Sequence, residues 1–366
     1  MKLILSISVV LLSFTDSVGE FLYPVATYTD LYHQQKILVL HQTTLTSIQL
    51  WSWDPLTHEA VQMLPASFCP VGIALLPAST GFSFIDNGRI RIKEFIKRSA
   101  RSLDIYDTIS NIGLITWHTQ VGYFHALDHR YYAIFSITAG DVTRTVCQPQ
   151  KDCMYPAPVD KRLFYIERTT TGQQQHYAVV EQSLEQPTAS LCIDFGDKPT
   201  IFLTMLNTDQ GFVVQHPVSL DRDASLITFF YYHLVRHHDQ RVWHARLLFR
   251  FSIPTALVTS SSNHSLHESI VPLMPRLVES TIYYVDYLDE QHGVVCSYNS
   301  ATKTQESYQD LSWQQPFVPV AIDDMLFCGG PLSSDTSAGG PYKYTTGDQA
   351  VRFSLPTINI KNSASQ

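Results

Sequence analysis

Apolar and polar positions along this chain fall into a repeated strand pair: an apolar or aromatic run, a polar turn, then a second run that often alternates. Copies begin at Lys36-Ile-Leu-Val-Leu, Gly81-Phe-Ser-Phe-Ile, Gly122-Tyr-Phe-His-Ala, Arg162-Leu-Phe-Tyr-Ile, Leu226-Ile-Thr-Phe-Phe, Thr281-Ile-Tyr-Tyr-Val and Met325-Leu-Phe-Cys. Their spacing of roughly 40 to 65 residues is the range in which internal repeats signify propellers or solenoids. No long amphipathic helical pattern interrupts them.

Each copy sits inside a unit of four β segments. In the second unit these are 71–76, 81–85, 89–93 and 102–106; in the third, 112–117, 121–126, 130–137 and 142–146. Turn signals separate the segments, among them Asp54-Pro55, Asp86-Asn87-Gly88, Thr171-Gly172 and Asp289-Glu290. Four-stranded antiparallel sheets at this repeat length are the blades of a propeller, each covered by its neighbours. The expected fold class is therefore an all-β β-propeller of four-stranded antiparallel blades. Counting units gives seven blades; six result if the first and last partial units combine. The wide interval from Arg162 to Leu226 leaves room for a further strand pair around Phe202 to Val214. A β-sandwich is the all-β alternative, since it too shows many short strands.

The ends are set apart by composition. Lys2, the apolar run Leu3 to Leu12 and the small residues Ser17-Val18-Gly19 read as a secretory signal peptide cut before Glu20. This divides the chain into a signal peptide (1–19), a single propeller domain (20–357) and a C-terminal tail (358–366). No later stretch has the length of a transmembrane helix, so the expected product is exported, periplasmic or secreted, with no transmembrane anchor after cleavage. Aromatic residues are abundant (Tyr 19, Phe 19) and charged residues form only 16%. The aromatics fall within the repeat strands, as a half-buried β surface requires. A net charge of −8 argues against nucleic acid as a partner.

The turns before two repeat strands, Val159-Asp160-Lys161-Arg162-Leu163-Phe164-Tyr165 and Leu220-Asp221-Arg222-Asp223-Ala224-Ser225-Leu226-Ile227-Thr228-Phe229, resemble the WD40-like repeats of TolB-type propellers. Lys161 and Ala224 stand where that family's Asp-Gly turn has glycine. The resemblance covers the repeats only; it implies a TolB-like propeller, an exported location and binding as the usual task.

Candidate chemistry is sparse. The densest ionisable cluster holds His233, Arg236, His237, His238, Asp239, Arg241 and His244; on a hairpin, His233, His237, His238 and His244 are the candidates for holding zinc or copper. Against this, the spacing matches no established ligand pattern, and hairpin tips commonly carry such residues for solubility. Arg89, Arg91 and Lys93 alternate along one strand face, as on an outer strand that discourages edge pairing. His118, His125 and His129 surround one turn and read best as strand histidines. Of six cysteines, Cys147 and Cys153 bracket a five-residue segment that a disulfide could close; Cys69, Cys192, Cys296 and Cys328 read as buried small hydrophobes. Asn263-His264-Ser265 is a sequon in the polar segment 259–267, and 333–340 is a second Ser/Gly-rich insertion. The chain has no nucleophile elbow, no His-Glu-x-x-His and no phosphate-binding loop. Catalytic residues stay unassigned, and no cofactor is expected. The functional expectation is a non-enzymatic module binding a protein or cell-envelope component. The rival is a carbohydrate-active hydrolase or lyase with its site at the central channel.

Overall fold

The computed structural model describes residues 20–44, 47–57, 59–65, 67–68, 70–97, 99–103, 108–138, 141–186, 188–217, 224–237, 242–255, 273–307, 313–314, 318, 320–322, 325–328, 330–332, 342–345 and 351–352. The expected signal peptide and tail, the two insertions with the Asn263 sequon, His238 and the turn residues 220–223 lie outside them.

The described elements are antiparallel strands and one short 3₁₀ turn, Pro77–Ser79, in the all-β propeller class with four-stranded antiparallel blades. Six sheets hold at least four strands in chain order. The seventh, within 320–352, is built of strands of two to four residues. Gly330–Leu332 leaves that last unit and pairs with the start of Glu20–Thr29, Leu332 opposite Glu20. One strand of the last unit thus joins the edge of the first sheet, and the blades number six, the lower of the two expected counts.

Two compact units make up the chain. The larger contains sheet 2 (71–102), sheet 3 (109–146), sheet 4 (151–196) and sheet 5 (200–254). Ile85, Ile90 and Ile92 of sheet 2 pack with Phe124, Phe135 and Ile137 of sheet 3, and the indole of Trp117 donates to Ser83 Oγ at 2.9 Å. Sheets 3 and 4 share Tyr123, Ile134 and Val146 against Cys153, Leu163, Tyr165 and Val180. The smaller unit contains sheet 1 (20–62), sheet 6 (276–314) and sheet 7. There Ile37, Val39 and Trp53 pack with Val320 and Phe327, and Arg276 donates to the carbonyls of Pro24 and Val25 at 3.2 and 3.0 Å.

Six of the seven repeat starts open the second strand of their sheet. The exception is Leu226, which opens the third strand of sheet 5, Leu226–His237. The second is Gln210–Gln215, paired with Thr200–Asn207, so the spare strand pair is the first half of this blade. Segment 112–117 is strand only over Thr116–His118. Gly113 instead donates its N–H to the His125 carbonyl at 2.8 Å.

First strands carry a recurring irregularity. Glu20–Thr29, Val71–Leu75 and Lys151–Val159 each slip register once, and Thr200–Asn207 slips twice. Gly72, Tyr155 and Phe202 take left-handed φ of 58°, 53° and 53° there. Bulges bend and over-twist a strand; placing Tyr or Phe at positive φ costs about 1–3 kcal/mol, which the surrounding packing must offset.

Candidate binding groove on the fourth sheet

The histidine hairpin forms as the sequence suggests, over Leu226–His237 and Val242–Pro254. His233 stands opposite Arg246, Val235 opposite His244, and His237 opposite Val242, all on one face. The rings of His237 and His244 meet at 4.9 Å, nearly perpendicular. His233 is drawn away into an aromatic ladder: it stacks on Phe212 at 5.0 Å, Phe212 on Tyr231 at 5.5 Å, and Tyr231 on Phe249 at 4.9 Å. Burial and the neighbouring Arg246 lower its pKa. The hairpin therefore brings together two of the three described candidate histidines. Among the described residues no group of three His, Cys, Asp or Glu side chains is placed to hold a metal.

The other basic and histidine features are mostly absorbed by the fold. Arg89–Glu94 is the third strand of sheet 2 rather than its outer one; Arg91 pairs with the buried Asp86 at 2.9 Å and Lys93 is buried. His125 is fully enclosed between Tyr132 and Tyr155.

Among the described residues, a cavity with room for a ligand lies on one flank of sheet 4. Strands Arg162–Thr171 and Gln174–Ser183 pair over ten positions, out to Thr171 opposite Gln174. Gly172, with φ of 64°, supplies the left-handed turn between them. The facing strands of sheet 3, Tyr131–Thr138 and Asp141–Val146, are shorter, at eight and six residues. The inner half of this flank is apolar and covered; the outer half is polar and borders an open cavity of about 1110 Å³.

Strand register builds the wall in two rows. Lys151, Thr169 and His176 form one row; Cys153, Glu167, Ala178 and Asp194 form the next. Diagonal contacts tie the rows together: Lys151 pairs with Glu167 at 2.7 Å, and the His176 ring meets the Asp194 carboxylate at 2.9 Å. The small side chain of Ala178 leaves a dip between the two carboxylates. Thr171, Gln173, Gln174, Gln175 and Ser190 add amides and hydroxyls, and Asp197 adds a further carboxylate. Leu191, 63% exposed, adds one apolar contact. On the opposite face of the sheet a cavity of about 390 Å³ is lined by charged groups already paired, Lys161 with Glu185 at 2.6 Å and Arg162 with Glu181.

Cys147 and Cys153 flank the lining residues Gln148 and Lys151, one exposed and one buried, both as free thiols. Cys153 accepts the backbone N–H of Gln148, and burial, with Glu167 and Cys147 nearby, pushes its thiol up to about 12. Gln148 also donates to the Tyr165 hydroxyl at 3.3 Å. In the sequence the wall shows only as the polar alternation Glu167-x-Thr169-x-Thr171 and Gln174-x-His176. A search for catalytic and metal spacings passes over such a pattern.

No family model and no curated protein matches this sequence. Among solved structures, a puromycin-hydrolyzing peptidase from Mycobacterium tuberculosis aligns with TM-score 0.64 and 10% identity over 94% of this chain and 54% of its own. An oligogalacturonate lyase in complex with manganese aligns with TM-score 0.54 and 12% identity over 89% of this chain and 97% of its own. TolB from Acinetobacter baumannii aligns with TM-score 0.45 and 10% identity over 78% of this chain and 62% of its own. This chain spans about half the length of the peptidase. At such identities the similarity establishes the β-propeller fold alone.

Proposed function

We propose that this chain is a non-enzymatic binding module, and that the groove on sheet 4 takes an extended segment of a protein partner. The supporting observation is the pairing state of the wall. Lys151 is paired with Glu167, and Asp194 is held by the His176 ring; beside these and Asp197 the groove offers amide and hydroxyl groups around one exposed leucine. That lining hydrogen-bonds a peptide backbone and packs one apolar side chain. The partner belongs to the exported compartment, with residues 1–19 as a removable leader: the charged start, short apolar run and small residues before Glu20 support that reading.

The test places a photo-cross-linker at Gln174 of the purified chain and mixes it with the native exported fraction. The expected result is one stoichiometric protein adduct, lost in Leu191→Glu and Thr171→Arg variants that keep native circular dichroism. N-terminal sequencing of the native protein should begin at Glu20. The rival reading, a carbohydrate-active lyase or hydrolase working at the central channel, is kept because the alignment spans 97% of the oligogalacturonate lyase. Manganese-dependent shortening of oligogalacturonate, unaffected by the groove variants and accompanied by no protein adduct, would replace the binding reading with that one.

A further inference from the structure

The segment joining sheets 3 and 4 carries two thiols of opposite exposure. Cys147 is exposed, Cys153 buried. Between them a tight turn is closed by the Lys151 N–H, which donates to the Gln148 carbonyl at 3.3 Å. Cys153 in turn accepts the N–H of Gln148, the residue bonded directly to Cys147. The Cys153 sulfur is thus a near neighbour of the peptide that follows Cys147, and a disulfide requires the two sulfurs to close to about 2 Å. The chain between them is part of the groove: Gln148 and Lys151 both line it, and the buried Cys153 pairs in register with Glu167 of the lining.

We propose that Cys147 and Cys153 form a reversible thiol–disulfide switch set into the rim of the groove. The effect on ligand binding rests on the binding reading above; the bond itself does not. In the first step the Cys147 thiolate attacks a low-molecular-weight disulfide, RSSR. A Cys147–S–S–R bond forms, and RS⁻ leaves and takes up a proton. In the second step Cys153 loses its proton to solvent as its sulfur attacks that of Cys147. The bond to R breaks, and the second RS⁻ leaves and is protonated. The two protein thiols are oxidised to one disulfide while one RSSR is reduced to two RSH. Cys147 is the accessible attacking group. Cys153, held largely as the thiol by burial, makes the second step the slow one. Closing the loop fixes Gln148 and Lys151 relative to Glu167 and stiffens that side of the groove.

Trypsin provides a direct readout, because it cuts at Arg144, Lys151 and Lys161. Reduced chain yields 145–151 and 152–161 as separate peptides; the disulfide joins them. The full chain is incubated at pH 8 with oxidised glutathione, alkylated, digested and weighed. A glutathione adduct on 145–151 is expected first, then the joined pair, which dithiothreitol reverses. Hydrogen exchange should slow several-fold across 147–153 and 165–169 in the joined form. Cys153→Ser should stop at the adduct and Cys147→Ser should give neither product; the latter replaces an exposed side chain, so the test survives if the former fails to fold. An adduct that never proceeds to the joined pair overturns the proposal, as does joining to another cysteine. A joined pair with unchanged exchange at 165–169 overturns it too, since the bond would then act on nothing in the groove. If joining and slowed exchange appear but groove variants still capture the partner, the binding reading fails and the switch stands.

Discussion

The backbone N–H of Tyr155 donates to Nδ1 of His125 across 3.3 Å, tying the bulge in the first strand of sheet 4 to the second strand of sheet 3. Tyr155 holds a left-handed φ of 53° at that point, and its ring packs on His125 at 4.9 Å and on Phe202 at 5.3 Å. Accepting this bond requires a neutral imidazole with Nδ1 unprotonated. Burial enforces that state by lowering the His125 pKa to about 4.

The consequence is a loss of stability in mild acid. The unfolded chain takes up a proton on His125 near pH 6.5 while the folded one does not until about 4. Stability is therefore full above pH 6.5 and falls as the pH drops toward 4, by up to about 3 kcal/mol. Burial also lowers the pKa values of His216 and His233, which slope the same way. Urea unfolding at pH 7.5, 6.0, 5.0 and 4.5 measures the slope, and His125→Gln should flatten it. An unchanged slope in that variant would show that His125 is not the group responsible.

Asp54 governs a lower window. Burial raises its pKa, but the Lys36 ammonium at 2.5 Å and the N–H groups of Leu56 and Thr57 outweigh that and hold the carboxyl at about 2. Its contribution is present above pH 3.8 and is lost as the pH falls toward 2, by up to about 2 kcal/mol. Asp54→Asn should lower the urea midpoint at pH 7 and make the remaining stability less sensitive to pH below 4. An equal loss at both pH values would assign its role to hydrogen bonding rather than charge.

Gly113 should tolerate no side chain. A Cβ there would sit 2.2 Å from Cε1 and 2.6 Å from Nε2 of His125, whose ring is pinned by Tyr132 and Tyr155. Gly113→Ala is expected to cost about 1–3 kcal/mol by overpacking. In a His125→Ala background, where the obstructing ring is gone, the same change should cost much less. A double-mutant cycle from urea midpoints reads the coupling, and additive effects would refute the clash.

The same residues show what was legible beforehand. The period-two runs reveal strands and the Asn87-Gly88 turn, where both residues take positive φ, because those signals are local. The strand order of sheet 5 was less accessible: Gln210–Gln215 is short, and the aromatic run from Leu226 overshadows it. Gly113 illustrates a further limit, since its apolar neighbours Ile112 and Ile115 are buried, yet His125 rather than a ladder partner fixes its backbone. The histidine cluster drew attention by composition, while register divides it: His233 joins the ladder and only His237 meets His244. The groove depends on a difference in strand length between two sheets, which no local window contains.

Asp152 is the link whose removal should be felt most. It is buried where sheets 3 and 4 meet, accepting the Tyr132 N–H at 2.8 Å and the Arg168 guanidinium through Nε and Nη2 at 2.9 and 2.8 Å. Arg168 carries a raised pKa: burial works against its charge, and Asp152, with Tyr177 behind it, outweighs that burial. Asp152→Ala strips one backbone donor and one buried cation of their acceptor together, and breaking such a pair costs about 3–5 kcal/mol because the remaining charge is left uncompensated. Asp152→Asn keeps an acceptor for Tyr132 and should cost clearly less. Adding Arg168→Met to Asp152→Ala should recover part of the loss by removing the stranded charge. Urea midpoints of the four proteins at pH 7 decide it: if the double variant is no better than Asp152→Ala, the cost lies in the Tyr132 bond and not in the orphaned guanidinium.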